Sequence, residues 1–519
     1  MAQKTLEQIS YNMSRVRDRE TKIECILRDE FLRRGITTFA QNDTEILGKP
    51  DFSFKAKKIA VFCDSEFWHG YDWDNLKKSF KSHEAFWIPK IEKTIARDVY
   101  VTETLQSQGW KVLRFWGNDL KKNATVCADA VERLLRVNLT QPYRVIDLCA
   151  GIGGIRRGFE RSLGAETVLS AEIDDYACKT YEHLFGQNPK NDLTTDEFKA
   201  LVAEADYEIL LAGFPCQTFS RVGLGEGFGC EEKGQIFFHI SDIIERTRPA
   251  AFFLENVDNL VTRDKGRTFR TIINELEIKL KYKVIGVTIT EDGTPSYVSK
   301  DFIRNSRAFG VPQNRPRTYI IGFDRERFFP ERLEQLPQKL PQGTEKALYV
   351  SLNDVLEQDV DARYYMASGY LETLVRHRAR QIAMGNNFGY RIVNESGIEQ
   401  PVANTLLATG GSGRERNLIY DPRDGIAGAV IKGKKTPLND KGIRVMTPTE
   451  WGKLQGFVNY AFLDDDRNEG FSFPEGMPDV QKYKQFGNSV TIPVVEEMAR
   501  FMSECFDILC TDETPCGGV

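Results

Sequence analysis

A cysteine and a glutamate stand where two apolar segments end, and both side chains are of the kind that covalent catalysis uses. Cys216 follows the segment Tyr207–Ala212 through a Gly-Phe-Pro turn, and Glu255 directly follows Ala251–Leu254. Both segments have the length and composition of buried strands. A thiol acts as a nucleophile and a carboxylic acid as a proton donor. The pattern therefore predicts covalent catalysis on an electron-poor ring.

The elements that must position these residues alternate between strands and helices from residue 144 to about 325. The predicted strands are Arg144–Leu148, Glu166–Ala171, Tyr207–Ala212, Ala251–Leu254, Lys283–Ile289 and Arg317–Phe323. Such alternation is typical of an α/β fold with a parallel sheet. Residues 330–443 break into Gly-, Asn- and Arg-rich pieces, which indicates a smaller, irregular recognition module. Residues 444–505 return to helical segments.

The first predicted strand runs into a glycine-rich turn that opens a helix. Gly151 and Gly153 let the backbone approach a ligand closely, and the amides at the start of a helix favour a carboxylate or phosphate. Glu172 ends the next strand, at a position from which an acidic residue binds the two hydroxyls of a ribose. Asp192 follows a third short segment. Together these residues predict a nucleoside cofactor, without indicating which one.

Composition places the chain among ordinary globular proteins. The net charge of -5 argues only weakly against a nucleic-acid partner, because affinity for phosphates depends on where Lys and Arg cluster. The 10 cysteines have irregular spacings and no CxxC pair, so we expect reduced thiols in a cytoplasm. No apolar run approaches the roughly 18 residues of a membrane span. We therefore expect a soluble, intracellular protein.

Residues 1–137 are predicted to form a separate small unit with its own group of reactive side chains. Asp51 lies in the predicted strand Pro50–Phe54 and His69 follows the predicted strand Lys58–Cys63, while Glu24 and Asp98 lie on predicted helices. Carboxylates gathered at strand ends bind hard cations such as Mg²⁺, and a histidine serves as acid or base. The alternative, from these residues alone, is a set of solvated charges with one helix-capping aspartate.

Five motifs of the larger unit occur in the order found in DNA (cytosine-5) methyltransferases, which this part of the chain resembles. They are Asp147-Leu-Cys-Ala-Gly-Ile-Gly-Gly154, Pro215-Cys-Gln217, Glu255-Asn-Val257, Gln313-Asn-Arg-Pro-Arg317 and Gln485-Phe-Gly-Asn-Ser-Val490. The resemblance implies a Rossmann-like catalytic domain over 144–330 and 444–519 that uses S-adenosylmethionine. It also implies a target-recognition domain over 331–443 and double-stranded DNA as the substrate.

The resemblance also implies a role for each catalytic residue. Cys216 would attack carbon 6 of cytosine as a thiolate, and Glu255 would protonate or hydrogen-bond the ring nitrogen. A methyl group from S-adenosylmethionine would then pass to carbon 5. Arg315 and Arg317 would support the cytosine and Glu255, and Asn256 would orient the loop.

The same resemblance assigns eight residues to the cofactor site. They are Cys149, Gly151, Gly153, Glu172, Asp192, Pro215, Asn488 and Ser489. Glu172 would hold the ribose and Asp192 the adenine amino group, while the glycines, Asn488 and Ser489 would hold the methionine end. Cys149 departs from the family, which usually has a phenylalanine there that packs on adenine.

A cytosine inside a duplex cannot reach a buried thiol, so the target base must be flipped out. The glycine-rich segment Arg221–Gly229 is expected to close over it. Gly385–Tyr390 and Asn404–Ala408 loosely resemble Dcm-type enzymes, which methylate an inner cytosine of CC-x-GG sites. Arg414 and Arg416 are candidates for contacts with guanine edges, which would give specificity, or with phosphates, which would not.

Residues 12–136 resemble the Vsr family of very-short-patch mismatch-repair endonucleases. The motifs are Met13-Ser-Arg-Val-Arg17, Thr21-Lys-Ile-Glu24, Gly48-Lys-Pro-Asp51, Phe67-Trp-His69, Arg97-Asp98 and Gly109-Trp-Lys-Val-Leu113. The resemblance implies that Asp51 binds Mg²⁺, together with the main-chain oxygen of Cys63, where the family usually has threonine. His69 and Asp98 would assist the attacking water, and Glu24 would support them.

Two further expectations follow from the Vsr-like motifs. Phe67 and Trp68 would wedge into the base stack near a mismatch. No structural zinc is expected, because the positions of the family's zinc ligands hold Glu66, Tyr71 and Trp73, which form no Cys/His cage.

The combined hypothesis is a methyltransferase with an appended mismatch endonuclease, acting on DNA in a bacterial cytoplasm. Deamination of 5-methylcytosine gives thymine, so each methylated site is a potential T·G mismatch. Three alternatives stay open: a restriction-modification fusion that cuts unmethylated sites, an N-terminal unit that only docks on DNA, and methylation of RNA. The methyltransferase part is expected to be monomeric, and the oligomeric state of the whole chain is left open.

Overall fold

The structure is a computed structural model. It describes residues 21–34, 36–80, 84–108, 110–136, 142–215, 236–386, 389–409 and 414–510. Cys216 and the segment Arg221–Gly229 lie outside the described residues. Two compact units are present: one has the described residues up to 136 with Glu326–Phe329 and Cys510, and the other has 142–325 and 330–509. No helix in the described part of the chain is both long and apolar enough to span a membrane.

The first unit is a small four-stranded sheet covered by helices. Its elements are α1 (Lys22–Arg33), β1 (Ala40–Gln41), β2 (Phe52–Phe54), β3 (Ile59–Asp64), α2 (Trp73–Ser79), α3 (Glu84–Ser107), β4 (Lys111–Trp116) and α4 (Gly117–Arg136). The strand order is β1-β2-β3-β4, with β3 and β4 parallel and the other pairs antiparallel. Leu27 and Phe31 of α1 are fully buried and pack with Phe52, Val61 and Val131 in one apolar cluster.

The second unit is built on a seven-stranded sheet. Its strands are β5 (Arg144–Leu148), β6 (Glu166–Ala171), β7 (Ile209–Gly213), β8 (Ala251–Val257), β9 (Tyr282–Val284), β12 (Ile303–Asn305) and β14 (Pro316–Asp324). The order is β12-β14-β8-β7-β5-β6, with β9 also paired to β14. β6, β5, β7 and β8 are parallel, as predicted. The next two strands in the chain, β6 and β7, pair with opposite edges of β5. In such sheets ligands bind at the carboxyl end of the strand where the order reverses, which here is β5.

The prediction of a wholly parallel sheet is wrong at one edge. β14 is antiparallel to β8, β9 and β12. The predicted strand Lys283–Ile289 is broken at Gly286, whose φ of +86° is left-handed. Residues before the break join the main sheet, and β10 (Val287–Ile289) instead forms a hairpin with β11 (Pro295–Tyr297). The fold class, α/β, is as expected.

Helices cover the main sheet, and the rest of the second unit is largely irregular. The helices are α5 (Gly154–Leu163), α6 (Asp175–Phe185), α7 (Asp196–Glu204), α8 (Ile236–Thr247), α9 (Arg267–Asn274), α10 (Pro330–Glu334), α11 (Ser368–Ala383), α12 (Pro448–Gln455), α13 (Asp479–Asn488) and α14 (Ile492–Cys510). The remaining strands are β13 (Gln313–Asn314), β15 (Ala403–Asn404), β16 (Leu418–Tyr420) and β17 (Ile443–Val445). Residues 331–443 contain few regular elements, as predicted, but their contacts do not separate them from the rest of the unit. Their limits as a domain stay a prediction.

Two candidate active sites

The carboxyl ends of β7 and β8 bring Glu255 to the backbone that leads to Pro215. Gly213 and Glu255 are register partners on these parallel strands. The Asn256 side chain donates from Nδ2 to the carbonyl oxygen of Phe214 over 2.9 Å, and its Oδ1 accepts from the N–H of Val257 over 2.8 Å. Asn256 therefore fixes the backbone one residue before Pro215, which is the contact expected of a residue that orients this loop.

Glu255 is a buried carboxyl with one arginine beside it. It is 8 % exposed, and Arg317 Nε lies 3.2 Å from Glu255 Oε1. Burial raises the pKa of Glu255, and the charges of Arg317 and Arg315 offset only part of that effect. A carboxyl group with a raised pKa keeps its proton to higher pH, so Glu255 is suited to donate a proton.

Arg315 makes different contacts from Arg317, although the two are close in sequence. Its guanidinium donates to the carbonyl oxygens of Leu406 over 2.9 Å and Gly487 over 3.0 Å, and also to that of Ser489. Only 2 % of Arg315 is exposed, and burial lowers its pKa. No hydrogen bond joins Arg315 to Glu255 among the described residues, so the expected support of Glu255 is made directly by Arg317 alone.

The glycine turn after β5 is tied to the acidic residue after β6. The N–H of Gly151 donates to Glu172 Oε2 over 2.8 Å, and Glu172 Oε1 accepts from the N–H groups of Ile173 and Asp174, each over 2.8 Å. Gly153 has φ +76°, and a Cβ there would lie 2.3 Å from the Phe185 ring. The turn therefore needs glycine for both its backbone conformation and its packing.

The surroundings of this turn are compatible with a nucleoside cofactor. Asp147 at β5 is fully buried, and neither of its carboxylate oxygens has a hydrogen-bond partner in the described part of the chain. Ile173, next to Glu172, is 65 % exposed and offers an apolar surface. A Cβ on Gly154 would lie 2.8 Å from Ser489 Oγ, so the Asn488–Ser489 turn lies against the glycine turn. The exposed Ile173 and the Ser489 contact are features that suit a nucleoside cofactor.

Two other predicted cofactor residues are placed by this geometry. Asp192 Oδ1 accepts from the N–H of Thr194 over 2.9 Å and from its hydroxyl over 2.7 Å. Cys149 adopts φ +55° and is half-buried, and burial raises the pKa of its thiol well above the usual range. Cys149 is therefore an apolar wall of the turn rather than a reactive thiol.

In the first unit the structure brings Asp51 and Cys63 together. Asp51 Oδ2 accepts from the N–H of Cys63 over 2.7 Å. Burial raises the pKa of Asp51 to about 7, and the negative charges of Glu24 and Asp64 add to the rise. Glu24 is itself buried, and its Oε1 accepts from the Thr21 hydroxyl over 2.6 Å at the start of α1.

Few protein groups of this site are placed to bind Mg²⁺. In the described residues no three His, Cys, Asp or Glu side chains are arranged to hold a metal ion. Mg²⁺ is commonly bound through one or two carboxylates with several waters. Asp51 and the main-chain oxygen of Cys63 suit that mode of binding.

His69 lies between two carboxylates, one of which the sequence analysis missed. Its Nδ1 is 2.6 Å from Asp98 Oδ2 and 3.3 Å from Asp64 Oδ1. Arg114 donates to both oxygens of Asp64 over 2.6 and 2.9 Å, and its Nη2 lies 3.3 Å from Asp98 Oδ1. Burial opposes ionisation of Asp98, but His69 and Arg114 outweigh it and lower its pKa. Two features of the sequence could have indicated the contact between Asp64 and Arg114. Asp64 directly follows Cys63, and Arg114 is a charged residue inside the apolar strand β4.

The two predicted wedge residues belong to a larger aromatic cluster. The Phe67 and Trp68 rings lie 5.1 Å apart, and Trp87 of α3 lies 5.5 and 5.8 Å from them. Lys90 Nζ is 5.3 Å from the Trp68 ring. Phe67 is 37 % exposed. Trp87 lies on α3, outside the Phe67-Trp-His69 motif, so the motif alone did not predict its place in the cluster.

Two positions where the Vsr family has zinc ligands make other contacts here. The Glu66 carboxylate accepts from the N–H of Asn118 at the start of α4. Tyr71 packs edge-on against Trp116 with ring centroids 5.0 Å apart. The Glu66 contact with the first turn of α4 and the Tyr71–Trp116 pair thus take the place of two zinc ligands in the first unit.

The candidate recognition arginines lie near a cavity of about 640 Å³ in the second unit. Arg414 is among its lining residues, with its guanidinium 5.0 Å from the Tyr483 ring, and Arg416 is exposed. Glu415 accepts from the Tyr370 hydroxyl over 2.8 Å. The geometry leaves both possibilities for the arginines, base edges and phosphates, open.

Comparison with known proteins agrees with both resemblances. The family model for C-5 cytosine-specific DNA methylase matches residues 143–504, and the model for DNA mismatch endonuclease Vsr matches residues 2–75. A solved structure of a DNMT2 mutant from Spodoptera frugiperda covers 70 % of this chain and 99 % of its own at 17 % identity, with a TM-score of 0.47, a likeness too distant to bear on function.

Curated relatives match this chain over most of their own length. Type II methyltransferase M.HpaII of Haemophilus parainfluenzae is 39 % identical over 71 % of this chain and 91 % of its own. Type II methyltransferase M1.ScrFI of Lactococcus lactis subsp. cremoris is 35 % identical over 78 % and 90 %. The DNA-cytosine methyltransferase of Escherichia coli K12 is 33 % identical over 69 % and 77 %. The chain belongs to the family of C-5 cytosine-specific DNA methylases.

Proposed function

We propose that the second unit methylates carbon 5 of a flipped cytosine in duplex DNA through a covalent bond to Cys216. The observation that carries the proposal is the buried Glu255 carboxyl, in register with Gly213 and 3.2 Å from Arg317. As the Cys216 thiolate adds to carbon 6, negative charge develops on the ring, and a proton from Glu255 at the ring nitrogen neutralises it. Loss of the carbon 5 proton after methylation then expels the thiolate and restores the double bond.

S-adenosylmethionine is the proposed cofactor, and it supplies the methyl group when bound. Glu172 would bind the ribose hydroxyls, Asp192 the adenine amino group, and the Gly151–Gly153 turn with Asn488 and Ser489 the methionine end. The exposed apolar side chain of Ile173 beside Glu172, and the contact of Ser489 with the glycine turn, support a ligand at this place.

The first unit is proposed to be an endonuclease. With Nδ1–H donated to Asp98, the other ring nitrogen of His69 is available to take a proton from an attacking water. Mg²⁺ would be held by Asp51 and the Cys63 main-chain oxygen and would stabilise negative charge on the phosphate. The hydrogen-bonded His69–Asp98 pair favours a catalytic unit over one that only docks on DNA.

The proposed substrate of this nuclease is the T·G mismatch that arises when a methylated cytosine deaminates. Three duplexes that differ only at the target site test the assignment: matched and unmethylated, matched and methylated, and T·G. Nicking of the T·G duplex alone supports repair, and cleavage of the unmethylated matched duplex supports a restriction-modification fusion. Equal binding without Mg²⁺-dependent cleavage of any duplex would reduce the unit to a docking module.

Bisulfite sequencing of DNA from a host that expresses the protein tests the methyltransferase and reveals its target. The expected result is one short sequence that is methylated at a fixed cytosine. Unmethylated host DNA, together with methyl transfer to RNA by the purified protein, would overturn the assignment to DNA.

A further inference from the structure

A buried guanidinium connects the candidate recognition region to the candidate cofactor turn. We call residues 403–408 the recognition segment and residues 485–490 the cofactor turn. Arg315 donates to the recognition segment at the carbonyl of Leu406 and to the cofactor turn at the carbonyls of Gly487 and Ser489. With three backbone acceptors from two distant stretches of chain, Arg315 holds both stretches at once.

The two segments also touch directly, backbone against backbone. A Cβ on Gly487 would lie 2.5 Å from the carbonyl carbon and oxygen of Leu407 and 2.6 Å from the nitrogen of Ala408. Backbone atoms cannot move aside as a flexible side chain can. A displacement of the cofactor turn therefore displaces the recognition segment.

A glutamine makes a second connection parallel to the first. The Gln313 side chain accepts from the N–H of Leu406 over 3.4 Å and donates to the carbonyl of Leu454 over 3.1 Å. Gln455, which follows Leu454 in the chain, donates to the carbonyl of Phe486 in the cofactor turn over 2.8 Å. Gln313 and Gln455 are both fully buried, so this path is as shielded from water as the Arg315 contacts.

We propose that Arg315 is a positioning residue that couples cofactor binding to target-DNA binding. The inference rests on the proposed function, in which Ser489 contacts the cofactor and duplex DNA is the substrate, and on Arg414 and Arg416 as candidate DNA contacts a few residues beyond the recognition segment. A cofactor that fixes the cofactor turn also orders the recognition segment, so DNA binding then costs less conformational entropy. By linkage, DNA tightens cofactor binding by the same factor.

The test measures DNA affinity with and without a bound cofactor analogue that cannot react. Fluorescence anisotropy follows a labelled duplex that carries the site mapped by bisulfite sequencing, with and without saturating S-adenosylhomocysteine. In the full-length wild-type protein the analogue is expected to tighten DNA binding about 10-fold, within the usual range of such couplings. In Arg315→Gln and Arg315→Lys the ratio of the DNA affinities with and without the analogue should fall below about 2-fold.

Arg304→Gln is the matched control. Arg304 is similarly buried and also donates to backbone carbonyls, those of Asp301, Leu340 and Pro341, but to neither of the two segments. Its coupling should equal that of the wild type. Coupling that persists in both Arg315 variants, or that is lost equally in Arg304→Gln, would overturn the proposal.

Hydrogen exchange in the wild-type protein provides a test that needs no variant. S-adenosylhomocysteine alone should slow exchange in residues 403–408 as well as in 485–490, and protection confined to 485–490 would also overturn the proposal. If the wild-type protein binds no S-adenosylhomocysteine or no duplex, the proposed function fails. If it binds both without dependence on Arg315, only the coupling role fails.

Discussion

Arg317 Nε lies 3.2 Å from Glu255 Oε1, and the two residues come from adjacent antiparallel strands with both side chains about nine-tenths buried. Burial favours the protonated carboxyl and the arginine favours the carboxylate, and burial has the larger effect on the pKa of Glu255. Arg317 thus holds the Glu255 carboxyl in a defined position, and burial keeps that carboxyl protonated so that it is able to donate a proton.

Methyl transfer should decline as pH rises through the raised pKa of Glu255. The protonated form is the active one, so activity is present below that pKa and is lost above it. Glu255→Gln, which has no acidic proton, should lower kcat by about 10²–10⁴-fold, measured as single-turnover methyl transfer. Glu277→Gln removes another buried carboxyl with a raised pKa far along the chain and should leave the pH profile unchanged.

Gly153→Ala should weaken binding of S-adenosylhomocysteine at least about tenfold, or 1.4 kcal/mol, measured by calorimetry. A Cβ at Gly153 meets the Phe185 ring at 2.3 Å, in addition to the strain of φ +76°. Gly164→Ala is the control, since Gly164 has φ +61° but no atom within 4 Å of a Cβ position. Equal loss of affinity in both variants would show that backbone strain, and not the packing of the turn, matters.

Asp98→Asn should slow Mg²⁺-dependent nicking by about 100-fold or more. The asparagine no longer favours His69 with its proton on Nδ1, so the other ring nitrogen is less available as a base. Arg97→Ala is a suitable control, because Arg97 is 63 % exposed and contacts only the outer oxygen of Asp98, Oδ1. Full activity in Asp98→Asn would exclude Asp98 as the residue that orients His69, and full activity in His69→Ala would exclude His69 as the base.

Arg444→Ala should cost about 3–5 kcal/mol of unfolding free energy, because it leaves the fully buried carboxylate of Glu450 without a counter-charge. Arg444 is fully buried and donates to both oxygens of Glu450 over 2.8 and 2.9 Å and to Asp421 over 2.7 Å. The exposed pair of Arg246 with Asp242 should contribute far less to the unfolding free energy, because water screens it. Urea unfolding of Arg444→Ala and Arg246→Ala compares the two directly.

The sequence predicted the parts of the fold that depend on local patterns. The strand end before Glu172 and the turn at Gly151 follow from apolar runs and glycine spacing, whereas β8 continues through Glu255 to Val257, beyond the predicted end at Leu254. The antiparallel β14 did not follow, because strand direction depends on pairing with residues distant in the chain. Arg315 illustrates the same limit: its motif implied a role beside Glu255, but its partners at Leu406 and Gly487 are visible only in three dimensions.

The most direct test of the central claim is covalent trapping of Cys216 by a duplex with 5-fluorocytosine at the target position. Fluorine at carbon 5 cannot leave as a proton does, so the adduct at carbon 6 should accumulate after methyl transfer. Wild-type protein with S-adenosylmethionine should form a stable protein–DNA complex with the linkage on Cys216 by mass spectrometry, and Cys216→Ala should form none. A Cys216→Ala protein that still methylates ordinary duplex DNA would contradict the account.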